Sequence, residues 1–228
     1  MKHYSMVAKV LHWSVAGLIV GQYVLAKLAE NAKHEDKILE QLALLANHKS
    51  IGITILVLAV IRLLYRLRMP APSLPSSMAK WQVTASKLSH VLLYGFLFAL
   101  PISGWLMSSA KAYSVSWFNL IALPDFVMPS KPLAEFLHVT HHYLAEALFV
   151  IALLHILAAL KHHFIDKDDV LNRISSKFSW LLFVLVILLV IGLFGRLFNI
   201  KTLNSDQPQA EQAQLVDELT NSVATASE

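Results

Sequence analysis

Five stretches of mostly apolar residues, at about 9–27, 49–68, 87–108, 137–160 and 179–198, dominate this chain of 228 residues. A helix that crosses the hydrocarbon layer of a bilayer needs about 20 such residues, because the layer is about 30 Å thick and each residue rises about 1.5 Å. Within lipid no water satisfies the backbone, so the spanning segment must bond its own N–H and C=O groups. The stretches therefore predict an all-α membrane protein with five spanning helices. Charge agrees: 15% of residues are charged, against about 25% in soluble domains. The first stretch opens on Lys9-Val-Leu-His12-Trp13 and is not followed by a small-residue cleavage site, so it reads as a retained helix and not a signal peptide.

The connectors are equally legible. Met69-Pro70-Ala71-Pro72-Ser73-Leu74-Pro75 interrupts helix formation, since proline removes a donor and disfavours helix at the preceding residue; residues 69–86 are read as a polar loop. Residues 109–136, with Pro124, Pro129, Pro132, Tyr113, Trp117 and Phe118, suit an outer loop with interfacial aromatics. Placing the N-terminus in the cytoplasm puts 11 of the 19 Lys and Arg residues inside, the orientation that positive charge near span ends favours. The tail then falls in the periplasm. Residues 1–200 hold 18 bases and 10 acids, a charge of +8, whereas residues 201–228 hold one base and five acids, a charge of −4. That acidic end is expected to be disordered and dispensable for chemistry. The organisation expected is a membrane domain over 1–175, an extra helix over 176–200 and the tail over 201–228.

Cysteine is absent, which excludes disulfides, thiolate-held clusters, thiol nucleophiles and covalently attached haem. A net charge of +4 without a basic stripe argues against nucleic acid as a partner and for the lipid bilayer. Histidine occurs eleven times, and an ionisable side chain inside a bilayer is costly enough to be a functional candidate. His12 lies about one turn into the first span, and His48 at the outer end of the second. His141 and His155 share the fourth span 14 residues apart, roughly 21 Å in depth and on nearly the same face. Because successive spans alternate in direction, His48 comes level with His141 and His12 with His155. Two stacked histidine pairs suit two low-spin b-type haems, which need a neutral nitrogen on each face of the ring. Zinc would ask for three or four converging ligands. Arg62, 14 residues after His48, reaches the inner level, where it either pairs with haem propionates or snorkels to headgroups.

Other positions are left with open readings. His138 or His142 could replace His141 as ligand. His90, His162 and His163 sit at the cytoplasmic ends of spans, where they could line a quinone pocket, pass protons, or meet water. Glu146, five residues below His141, is read as buried, either a hydrogen-bonded protonated acid or a proton relay. Pro101 and Gly104 could bend the third span and admit a flat macrocycle, or simply kink it.

Several of these residues carry a resemblance. Tyr4-x7-His12-Trp13, His48-Lys49-Ser50-Ile51-Gly52, Arg62-Leu-Leu-Tyr-Arg-Leu-Arg-Met-Pro-Ala-Pro72, Ser89-His90 through Leu100-Pro101-Ile102-Ser103-Gly104, and His141-x13-His155-x6-His162-His163 are similar to the bacterial cytochrome b561 proteins over about residues 4–175. That likeness implies a four-helix bundle with two b-type haems held by His12, His48, His141 and His155, which makes 1–175 the di-haem domain. It also implies an oxidoreductase of the bacterial inner membrane, with superoxide as donor and ubiquinone as acceptor. The fifth stretch and the tail depart from it. So does the charge of the two outer loops, each of which is formally neutral where an anion collector gains from positive charge. An alternative keeps the haems but makes the chain an anchor subunit that passes electrons between quinone and a periplasmic redox partner; a haem-free transporter or scaffold leaves the matched histidines unexplained.

Overall fold

The structure is a computed structural model, and it describes residues 3–76, 78–188 and 192. Four long helices carry the fold: α1 (Met6–His34), α2 (Ile38–Arg68), α3 (Lys80–Ala110) and α4 (Lys131–Phe164). Each is long and apolar enough to cross a membrane. At 29 to 34 residues they extend about 43–51 Å, beyond the hydrocarbon and through the headgroup layers. The apolar stretches mark only their middles.

Their ends are set by local chemistry. Ser5 Oγ accepts the Ala8 N–H at 3.2 Å and so caps α1. Gln82 Oε1 accepts the Ala79 N–H at 3.0 Å, which starts α3 at Lys80 and shortens the loop expected over 69–86. Trp81 and Gln82 are too polar or interfacial to register as part of an apolar stretch, yet nothing in them opposes a helix. Pro132 lies in the first turn of α4, where its missing N–H is not needed, so the outer loop also ends earlier than 136. Residues 35–37 join α1 to α2 in a tight reversal, with Asp36 in the left-handed region at φ 55°.

The helices pack in sequence, α1 on α2, α2 on α3 and α3 on α4. The main core is made by Val15, Leu18, Leu25 and Ala29 of α1, Leu44, Ile51, Ile55 and Ala59 of α2, and Leu97 of α3. Val139, Val150, Leu153, Leu154 and Leu157 of α4 point outward, the arrangement that lipid tolerates because its tails are as apolar as these side chains.

Between α3 and α4 the chain forms a two-stranded hairpin, β1 (Ser116–Trp117) with β2 (Ile121–Ala122). It folds back on α2: Trp117 Nε1 donates to Thr54 Oγ1 at 3.0 Å, and the Phe118 N–H donates to Ser50 Oγ at 3.0 Å. After α4 come the short α5 (Val170–Ile174) and an apolar helix α6 (Lys177–Leu188). The fifth expected span continues past Leu188 to 198; residues 189–191 and 193–198 of it, and the expected tail, lie outside the described residues.

Candidate functional site

Two levels of histidine lie between these helices. At one end His48 of α2 and His141 of α4 face each other, with ring centroids 6.3 Å apart and planes inclined by 74°. His138 and His142 are exposed at the protein surface, so of the three neighbouring histidines on α4 it is His141 that meets His48.

The seat of His141 is built from the Pro101–Gly104 segment. Ser103, which is buried, has its Oγ 2.9 Å from the Leu100 carbonyl and 3.0 Å from His141 Nδ1. The hydroxyl donates to the carbonyl, so its lone pair receives the Nδ1–H, and Nε2 is left unprotonated. Gly104 supplies the space: a Cβ there would stand 3.1 Å from His141 Cε1. The glycine thus admits an imidazole ring, whereas the motif alone suggested a bend or room for a macrocycle.

On the α2 side His48 Nδ1 is buried with no hydrogen-bond partner, a costly condition for a polar atom. Gln22 of α1 braces this turn by donating from Nε2 to the His48 carbonyl at 2.9 Å. A metal held between two imidazole nitrogens at about 2.0 Å each sets the ring centroids about 6.4 Å apart. The observed 6.3 Å, an acceptor nitrogen on His141 and an unpartnered nitrogen on His48 would suit a haem iron held between the two rings.

The other level gathers His12, Arg62, His90 and His155, close enough to interact electrostatically. Arg62 Nη2 lies 3.0 Å from His12 Nδ1, and its guanidinium stands over the Tyr94 ring at 5.5 Å. Here Arg62 turns into the bundle and does not snorkel. The ring beside His155 is that of His90, at 5.2 Å. His90 Nδ1 is 2.7 Å from the Ser86 carbonyl, to which it can only donate, so Nε2 is the unprotonated nitrogen of the neutral ring.

His162 is gripped by acids: its Nδ1 is 2.7 Å from Asp168 Oδ2 and 3.2 Å from Asp166 Oδ2. Lys161 Nζ joins Asp166 at 2.6 Å, so this group is satisfied internally. His163 is half-buried and meets Phe164 edge-on. Asp168, Ser103, Gln22 and Tyr94 are site residues that spacing does not single out; Ser103 and Tyr94 lie inside the quoted motifs, but their partners are on other helices.

Glu146 does not take the buried position its depth suggests. It is exposed, and its Oε1 pairs with His142 Nε2 at 3.1 Å. Five residues turn a helix through about 500°, which puts Glu146 about 140° round from His141; depth alone suggested burial, and azimuth removes it from the site.

A helical membrane bundle with facing histidines clasped between its helices has the architecture of a membrane cytochrome b. The comparisons agree. The sequence profile of the family described as "Prokaryotic cytochrome b561" matches residues 3–177, and the chain belongs to that family of haem b proteins of membrane electron transfer. It is 34% identical to cytochrome b561 homolog 2 of Escherichia coli (strain K12) over 178 residues, which is 78% of this chain and 94% of that protein. It is 31% identical to a probable superoxide oxidase CybB of Yersinia pestis over 176 residues, 77% of this chain and 97% of that protein.

Proposed function

We propose that the chain is a di-haem cytochrome b of the bacterial inner membrane that takes single electrons from superoxide at the outer face and delivers them to ubiquinone. Its N-terminus is cytoplasmic in this reading. The observation that carries it is the His48–His141 pair, whose 6.3 Å ring separation suits a bis-imidazole iron; His12 and His155 would hold a second haem at the inner level. Bound haem supplies reversible one-electron transfer. Two superoxide ions give up one electron each and leave as two oxygen molecules, while one ubiquinone takes the two electrons and two protons to become ubiquinol.

The residues supply position and protons. Ser103 and Gly104 fix the ring of His141, and Arg62 offers a guanidinium for a propionate. His90 and His162 each have Nδ1 anchored, by Ser86 and Asp168 respectively, so their Nε2 atoms can pass protons toward quinone. At the outer end a cleft of about 580 Å³ is lined by Lys111, Tyr113, Lys131, Glu135 and His138. The loop acid Asp125 is turned onto the Ser109 and Ser114 hydroxyls. Formal neutrality of the loop therefore coexists with a cleft bearing two lysines and one acid, which suits a small anion.

The test is the visible spectrum and haem content of the purified chain beside His12→Ala and His48→Ala. Each variant should lose about half of the haem, and the unsubstituted chain should reduce ubiquinone when superoxide is supplied. Full haem content in both variants would refute the ligand assignment. The subunit reading, kept open by the segment beyond the family match at residue 177, would be supported instead by a stoichiometric partner in gentle detergent and no reaction with superoxide.

A further inference from the structure

The family match stops at residue 177, and the Escherichia coli and Yersinia pestis relatives are matched over 94% and 97% of their own lengths, which leaves little room in them for a counterpart of α6. In this chain α6 is packed on α1. The stripe it uses, Lys9, Trp13 and Gly17, recurs every four residues and so lies along one side of that helix.

Three contacts dock the link that leads into α6. Lys9 Nζ donates to the Ser175 carbonyl at 3.3 Å, Trp13 Nε1 to the Ile174 carbonyl at 3.1 Å, and the Tyr4 N–H to the Arg173 carbonyl at 3.2 Å. Arg173 Nη1 in turn reaches the Ser73 carbonyl at 2.6 Å, tying the same segment to the α2–α3 connector. Then α6 itself closes on the stripe. The Trp13 ring is 4.9 Å from Trp180 and 5.5 Å from Phe183. At Gly17 a Cβ would stand 2.9 Å from Val186 Cγ1 and 3.1 Å from Val186 Cβ, so the two helices approach this closely only because the residue is glycine.

His12 lies in the middle of this. Its ring is edge-on to Trp13 at 5.3 Å, and its Nδ1 meets Arg62 of α2. One side of the α1 turn that bears His12 is held by α2, and the adjacent side, through Trp13, by α6. Ligand orientation and the apolar shell around a metal set its affinity and potential. We propose that α6 is a built-in clamp on α1 that fixes the orientation of His12 and thereby tunes the inner haem, with Trp13, Gly17 and Val186 as positioning residues. This rests on the proposed inner haem between His12 and His155.

The experiment is a redox titration with low-spin electron paramagnetic resonance on the full-length purified chain, the two haems being assigned with His12→Ala and His48→Ala. Gly17→Leu pushes Val186 away. It should shift the midpoint and low-spin signal of the inner haem while leaving the outer haem unchanged, and adding Val186→Ala should return the inner haem toward its original values. Trp180→Ala, which keeps Gly17, should act in the same direction and serves if Gly17→Leu does not accumulate. An inner haem that titrates unchanged in these variants, or two haems that move together, overturns the clamp. A wild-type chain with no haem at the inner level overturns the underlying site and the clamp with it, a result the wild-type spectrum alone reveals.

Discussion

One buried hydroxyl decides which nitrogen of His141 carries the proton. Ser103 Oγ is held between the Leu100 carbonyl and His141 Nδ1, so the ring keeps its proton on Nδ1 and leaves Nε2 unprotonated. Ser103→Ala removes that acceptor and leaves a buried N–H without a partner, at a cost of about 1–3 kcal/mol. The ring is then freer to turn or to move its proton. On the proposed di-haem reading, the expected outcome is lower occupancy and a shifted midpoint for the haem at the His48–His141 level, with the inner haem unchanged and Ser103→Thr close to wild type, measured by redox titration. Glu146 shows the complementary point: its depth is readable from spacing, but its face depends on the 100° turn per residue, and it points away from His141 to pair with His142.

The helices outrun their hydropathy because polar end turns are good helix formers once capped, as Gln82 and Ser5 show. Hydropathy reports the lipid; helix length reports the backbone. The hairpin β1–β2 was not legible at all, since two-residue strands have no periodicity to detect and this pair is held by α2. Ser50, buried two residues after His48, receives the Phe118 N–H and lies 3.2 Å from the Ser116 carbonyl. Ser50→Ala should cost about 1–2 kcal/mol by the loss of these bonds and should speed hydrogen exchange at 116–122 well before α2 itself exchanges. Equal exchange in the variant and the wild type would show that the Ser50 bonds do not hold the hairpin.

At the level of the entire chain, the absence of cysteine means that haem is held without a covalent thioether link. A ligand that binds the folded form alone stabilises it by mass action. Extraction of haem should therefore lower the thermal midpoint, and added hemin should restore it, with the restoration absent in a His48→Ala, His12→Ala double variant. Circular dichroism through the melt reads the outcome; identical midpoints with and without haem would show that the bundle is stable on its own packing. The charge of the chain also divides unevenly, +8 over residues 1–200 and −4 over 201–228, so the net +4 describes neither part.

The amino-acid sequence by itself determined four membrane helices, because apolar length is a one-dimensional property, and set the expected depths of His12, His48, His141 and His155, because depth along a helix is a residue count. It also carried the family likeness that the comparison with known proteins upheld. Only the tertiary structure decided which histidine of α4 meets His48, how Ser103 and Gly104 seat it, that Arg62 turns inward to His12, and that α6 closes on Gly17. Each of those joins residues tens to more than a hundred positions apart, and such contacts depend on the rotation of one helix against another, which no count along the chain contains.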